Sequence, residues 1–167
     1  MRQLLTMVVI GVMLMTNSDI SAAENKANGN AELLAISLIA RYEGFSEKPY
    51  VCPGGRTTIG YGFTDPVLVA KGKMTRQEAD RELGKEVRKR LAILRKEVSG
   101  LTPKQEAAAV SLMYNIGETA FKSSTFLKQL KAKNMIEARS EIKRWNKAGG
   151  KVLAGLVKRR AAEAAWI

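Results

Sequence analysis

Three side chains in one short reach of chain have types and spacing that could do chemistry. Glu43, Cys52 and Thr58 all lie in ARYEGFSEKPYVCPGGRTTIGYGFTD, residues 40–65. Glu43 is the acid of the set. Ile36, Ile39 and Ala40 stand seven, four and three residues before it, so it falls on the buried face of a helix, at the last turn. A carboxyl there loses hydration and meets the negative end of the helix dipole, and both effects favour the protonated form that a general acid needs. The competing reading is a surface glutamate paired with Arg41 or another cation. Cys52 precedes Pro53, which pushes its backbone into an extended conformation. A thiol of ordinary pKa, about 8.5, is mostly protonated at neutral pH and makes a weak base. Thr58 opens the returning strand, where a hydroxyl can hold a water across the turn. Gly60 and Gly62 remove side chains from one face of that strand, so bare backbone can approach a bulky ligand.

Composition narrows the chemistry further. The chain has 167 residues and no histidine, which excludes Ser-His-Asp and Cys-His nucleophile activation and His-bearing zinc sites. Acid/base work therefore falls to carboxylates, and neither a metal nor another cofactor is expected. The single cysteine excludes an internal disulfide. Lys and Arg total 28 against 16 Asp and Glu, a formal charge of +12 spread along the chain. Such a field draws a protein towards nucleic acid, an anionic membrane face or an acidic cell wall. Few aromatics and no basic-aromatic interleaving argue against nucleic acid.

The elements that must position these residues follow from punctuation in the sequence. Leu4 to Met15 is an apolar run behind a positive start, with Ser21 and Ala23 at small-residue spacing. It reads as a signal peptide cut after Ala23, or as a releasable signal anchor, over residues 1–23. The run is shorter than the roughly 20 apolar residues that span a bilayer comfortably. Residues 24–30 read as a polar linker, and one domain is expected over residues 31–167. Asn30 is a good N-cap for the helix leading to Glu43. Tyr50 to Thr64 breaks the helical period around Pro53-Gly54-Gly55 and predicts a small antiparallel hairpin. Thr75 with Glu78, and Thr102 with Pro103 and Gln105, mark two helix starts, and Gly117 marks a stop. Helices are predicted at about 124–132, 135–146 and 154–166. The fold class is α+β, mostly α: a small β-hairpin lobe and a helical bundle lobe with a cleft between them.

Glu43, eight residues, Cys52, five residues and Thr58 resembles the Glu-x8-Asp/Cys-x5-Thr signature of phage-type lysozymes, the family 24 glycoside hydrolases that serve as endolysins. YEGF, PYVCPGG and TIGYG resemble that family's active-site hairpin. MTRQEADRELGKEV, YNIGETAFKSSTFLKQL and GLVKRRAAEAAW are similar to its later helices, in order over residues 31–167. The resemblance implies a lysozyme-like fold and hydrolysis of the β-1,4 bond between N-acetylmuramic acid and N-acetylglucosamine in peptidoglycan. It implies Glu43 as general acid, and Cys52 and Thr58 as the residues that hold and activate water on the opposite face of the sugar. It also implies glycan contacts from Thr64, Tyr114 and Asn115. Cys52 stands where Asp is commoner, and Phe63 where His often follows Gly-Tyr-Gly. An acid/base glutamate without a second carboxylate is also the equipment of a lytic transglycosylase, and an inactive basic wall-binding domain is a third reading. The expected partners are peptidoglycan strands, anionic wall polymers by charge and, only transiently, a membrane through the N-terminal segment. The expected protein is an exported monomer.

Overall fold

The computed structural model describes the backbone of residues 17–52 and 55–167 and the side chains from Asn30 onward, Pro53 and Gly54 excepted. The predicted leader therefore lies largely outside the described residues. Helix α1, Asn17–Glu43, is followed by strands β1, Ser46–Val51, and β2, Thr57–Gly60. The helical lobe comprises α2, Pro66–Ala70; α3, Arg76–Glu97; α4, Pro103–Ile116; α5, Glu118–Lys122; α6, Thr125–Lys131; α7, Met135–Lys143; and α8, Ala154–Ala164. A second hairpin, β3 (Lys147–Ala148) and β4 (Lys151–Val152), turns at Gly149-Gly150 between α7 and α8.

Helix α4 is the axis of the core. Every residue from Ala107 to Met113 is buried, so this helix has no solvent face over two turns. α1, α3 and α8 pack around it, and Ala31, Ala35 and Ile39 of α1 join Leu83, Val87, Leu91 and Leu94 of α3 in one apolar cluster. Both predicted capping boxes are present. Thr75 Oγ1 accepts from the Glu78 N–H at 3.2 Å while Glu78 accepts from the Thr75 N–H at 2.8 Å. Thr102 and Gln105 repeat the arrangement at α4.

The first helix departs from expectation. It starts at Asn17, so Asn30 lies inside it and residues 24–30 are helical. Good helix formers on both sides, Ala22, Ala23 and Glu24 before and Ala31, Glu32 and Leu33 after, carry the helix through this stretch, and neither Asn28 nor Gly29 stops it. Three short elements also went unforeseen: α2, α5 and the β3–β4 hairpin.

The first hairpin is antiparallel, with Tyr50 opposite Thr58 and Val51 opposite Thr57. Beyond β2 the chain closes a tight turn, because Ile59 and Phe63 exchange two backbone hydrogen bonds of 3.0 and 2.9 Å. Tyr61 sits at the apex of that turn, between Gly60 at φ +65° and Gly62 at φ +84°.

Candidate active site

Glu43 is the last residue of α1. Gly44, at φ +69°, ends the helix and donates its N–H to the Ala40 carbonyl at 3.2 Å. The carboxylate is about one-fifth exposed and meets a partner from the far end of the chain: Arg159 Nη1 of α8 donates to Glu43 Oε1 at 2.6 Å. The sequence offered a desolvated acid or a cation-paired one. The structure shows an acid at the edge of the core paired with a buried arginine, and the partner is Arg159 rather than Arg41. The other oxygen, Oε2, faces Gly62, where an added Cβ would stand 3.4 Å away. The bare backbone at Gly62 thus leaves one side of the carboxylate uncrowded.

Tyr114 of α4 stands close enough for Glu43 to act on it. Burial pushes its hydroxyl well above the ordinary value, and the Glu43 charge adds to the effect. That hydroxyl donates to the Tyr61 carbonyl at 2.8 Å, and the Arg90 guanidinium covers the ring 4.8 Å from its centroid. α4 therefore ties the helical lobe to the tip of the hairpin beside the acid.

Next to this group opens a cleft of about 900 Å³. Gly62, Thr64, Tyr114 and Asn115 line it, together with Arg56 and Glu86. The structure thus brings three of the predicted site residues, Thr64, Tyr114 and Asn115, to one cleft; Glu43 is not itself among the lining residues, but its Oε2 lies against Gly62, which is. Asn115 is itself held, since Arg160 Nη1 donates to its Oδ1 at 3.2 Å. Cys52 and Thr58 are not among the lining residues. Thr58 is buried, at 4% exposure, and its hydroxyl donates to the Tyr50 carbonyl at 3.3 Å across the hairpin. Cys52 is half-buried, outside any disulfide, at the end of β1. Its N–H donates to the Arg56 carbonyl at 2.9 Å and its carbonyl accepts from Gly55 at 2.8 Å, which closes the turn.

Sequence reasoning missed Arg159 and Arg160. Their segment reads as an ordinary basic helix, and the signal that could have found them is helical spacing: Arg159, Arg160 and Glu163 fall at three- and four-residue intervals on the apolar side of α8.

Comparison with known proteins identifies the family. A family model described as Phage lysozyme matches residues 40–163. The chain is 41% identical over 135 residues to an endolysin of Acyrthosiphon pisum secondary endosymbiont phage 1, covering 78% of this chain and 92% of that relative. It is 31% identical over 147 residues to a SAR-endolysin of Escherichia phage Mu, covering 87% and 85% of the two. Among solved structures it is similar to the muramidase domain of SpmX from Asticaccaulis excentricus, with a TM-score of 0.71 and 31% identity over 79% of this chain and 92% of that one. Because the family match runs from the helix that carries Glu43 to the helix that carries Arg159, the chain belongs to the phage lysozyme family.

Proposed function

We propose that this cell-wall hydrolase, whose substrate is peptidoglycan, is an N-acetylmuramidase with Glu43 as its general acid. The observation that carries the reading is the setting of Glu43: one oxygen fixed by Arg159 at 2.6 Å, the other left open by Gly62 beside the cleft. In the proposed reaction the glycan lies in the cleft along Thr64, Tyr114 and Asn115. Protonated Glu43 gives its proton to the glycosidic oxygen as the bond to the anomeric carbon breaks. A water on the opposite face adds to that carbon and releases its proton to solvent, which leaves a reducing muramic acid end, and Glu43 is reprotonated from solvent before the next cycle. Thr58 and Cys52, on the two strands of the hairpin and outside the cleft lining, are proposed to hold that water as the glycan binds. Binding energy along the cleft orients the bond.

A lytic transglycosylase reading is favoured by one observation. Cys52 stands where family members commonly carry Asp, and a neutral thiol there would leave Glu43 to act alone, with a 1,6-anhydro end as the product. Digestion of purified peptidoglycan by the full chain, with the Glu43→Gln variant beside it, distinguishes the two when the sugar ends are identified by mass spectrometry. Reducing ends that vanish in the variant are expected. Anhydro ends sink the muramidase reading, and a variant that still cleaves sinks the role of Glu43. Absence of cleavage by the unmodified chain would leave a wall-binding domain.

Residues 31–167 are proposed as the catalytic domain and residues 1–23 as a cleaved signal or releasable anchor. The apolar run from Leu4 to Met15, and relatives that carry the name SAR-endolysin, support export with a tether to the inner membrane before release. That run lies outside the described residues, among which no helix is long and apolar enough to cross a membrane.

A further inference from the structure

Among the described residues one carboxylate is wholly buried, and the reaction above makes no use of it. Glu163 of α8 has 0% exposure and lies with Arg159 and Arg160, at 3% and 1%. Its Oε1 accepts from Ser111 Oγ at 2.6 Å, Arg159 Nε at 3.1 Å and Arg160 Nη2 at 2.7 Å. Its Oε2 stands 2.6 Å from Arg160 Nε but off the line of that N–H, so the contact is ionic rather than a hydrogen bond. Each arginine then reaches outward. Arg159 Nη1 holds Glu43, with Nη2 braced on the Ser111 carbonyl and hydroxyl at 3.2 Å each. Arg160 Nη1 holds Asn115 on the cleft wall.

Stability is a poor reason for such a cluster. Removing three charges from water is costly, and well-packed apolar residues of similar volume often do as well or better. Burial pushes the Glu163 carboxyl above its usual range, and it pushes the Arg160 guanidinium down to about 10, against the pull of Glu163. What apolar residues could not supply is the pair of outward arms. We propose that Glu163 is a positioning residue for the hydrolysis: it fixes Arg159 against Glu43 and Arg160 against Asn115. One buried carboxylate thereby sets both the acid and a sugar-facing amide. The inference rests on the assignment of Glu43 as general acid.

The charge arithmetic gives a distinctive readout. Glu43 and Glu163 balance Arg159 and Arg160. The charged or titratable groups that face Glu43 are Arg159 and Arg160 from α8 and Tyr114 from α4, with Arg90 and Glu86 of α3 beyond the Tyr114 ring. From the hairpin, the Gly62 backbone approaches Glu43 Oε2. Glu163→Gln leaves one uncompensated positive charge in this group, which favours ionised Glu43. The general acid is then protonated only at lower pH, so the descending alkaline limb of kcat/KM moves to lower pH.

The experiment uses the full chain and soluble peptidoglycan fragments. Glu163→Gln, Glu163→Gln/Arg160→Gln and Glu43→Gln are checked for folding by circular dichroism and assayed for kcat and KM across pH. Glu163→Gln is expected to lose roughly ten-fold or more in kcat as the acid drifts from its geometry, with the limb displaced. The double variant restores charge balance, so its limb returns to the unmodified position while KM rises because Asn115 has lost its partner. A folded Glu163→Gln chain with unchanged kcat and limb overturns the proposal, as does a double variant whose limb stays displaced. If Glu163→Gln fails to fold, the double variant decides, and an unchanged KM overturns the proposal. Activity in Glu43→Gln refutes the acid assignment itself. An inactive Glu43→Gln beside an unshifted Glu163→Gln refutes only the role of Glu163.

Discussion

Alanine at Gly60 and alanine at Gly62 add the same methyl group to similar backbone, yet the two changes should be felt in different assays. Both glycines have positive φ, +65° and +84°, and an L-residue there costs about 1–2 kcal/mol. At Gly60 the new Cβ would stand 2.7 Å from Phe63 Cδ2 and Cε2 and 2.9 Å from Met74 Sδ. Phe63 and Met74 are both buried, so the clash cannot be relieved into solvent, and overpacking adds roughly 1–3 kcal/mol. The total, about 2–5 kcal/mol, is a large share of a typical reserve of about 5–15 kcal/mol. At about 2–4 °C per kcal/mol for a chain of this size, Tm should fall by roughly 4–20 °C. At Gly62 the methyl meets only Glu43 Oε2, at 3.4 Å. The stability cost there stays near the backbone's own 1–2 kcal/mol. Activity is what suffers, because the open side of the acid is now occupied. A fall of roughly ten-fold in kcat/KM, about 1.4 kcal/mol of transition-state stabilisation, is expected. Gly44→Ala is the control, since its φ is +69° and nothing lies within 4 Å of the added carbon. Thermal unfolding and peptidoglycan cleavage of the three variants are measured side by side. If Gly60→Ala is no less stable than Gly44→Ala, or Gly62→Ala keeps full activity, the reading of this turn is wrong.

Two further outcomes are expected. The Tyr61 and Tyr114 hydroxyls are both raised above the ordinary tyrosine value of 10.0, chiefly by burial. Their contribution to stability is complete below that value and is lost as pH rises through the higher folded values, so Tm should decline above about pH 10. Tyr114→Phe should flatten that decline while costing about 1 kcal/mol at neutral pH for the lost bond to Tyr61, both read by thermal scans across pH. Thr102→Ala removes the side-chain half of the α4 capping box and should cost about 1 kcal/mol in urea unfolding while cleavage of peptidoglycan is retained.

The sequence revealed most where a few adjacent residues decide the outcome. Thr75 with Glu78 and Thr102 with Gln105 are self-contained signals, and each helix starts where they say. The placement of Glu43 followed from three apolar neighbours on one helix face. Asp65-Pro66 carried an equally good signal for α2, because Asp65 Oδ1 accepts from the Val67 and Leu68 N–H groups at 2.7 and 3.3 Å, but five residues are too few to show a period. Asn28-Gly29-Asn30 read as a break because those residues are poor helix formers. Their alanine-rich neighbours outweigh them. The partner of Glu43 could not be read at all, since Arg159 lies 116 residues away and only the packing of α8 on α4 brings them together. Cys52 and Thr58 do lie on the hairpin, but no sequence signal showed that Thr58 is buried with its hydroxyl on the Tyr50 carbonyl or that neither residue lines the cleft, because strand register and backbone geometry decide this rather than residue type.

That turn also bears on tolerance to error. Tyr61 is held from several directions: its hydroxyl donates to Asp80 at 2.8 Å and accepts from Arg76 at 3.2 Å, its carbonyl takes the Tyr114 hydroxyl, and its ring packs 5.8 Å from Phe45. These holds come from the start of α3, from α4 and from the loop after α1, three stretches far apart in the chain. The pose of the hairpin is therefore fixed redundantly. Loss of one hold leaves the others to define nearly the same position, so damage to single side chains here degrades the cleft by steps. Single substitutions at Asp80, Arg76 or Phe45 should therefore cost less cleavage than any two combined, which leaves a stepwise route for sequence change around the hairpin tip.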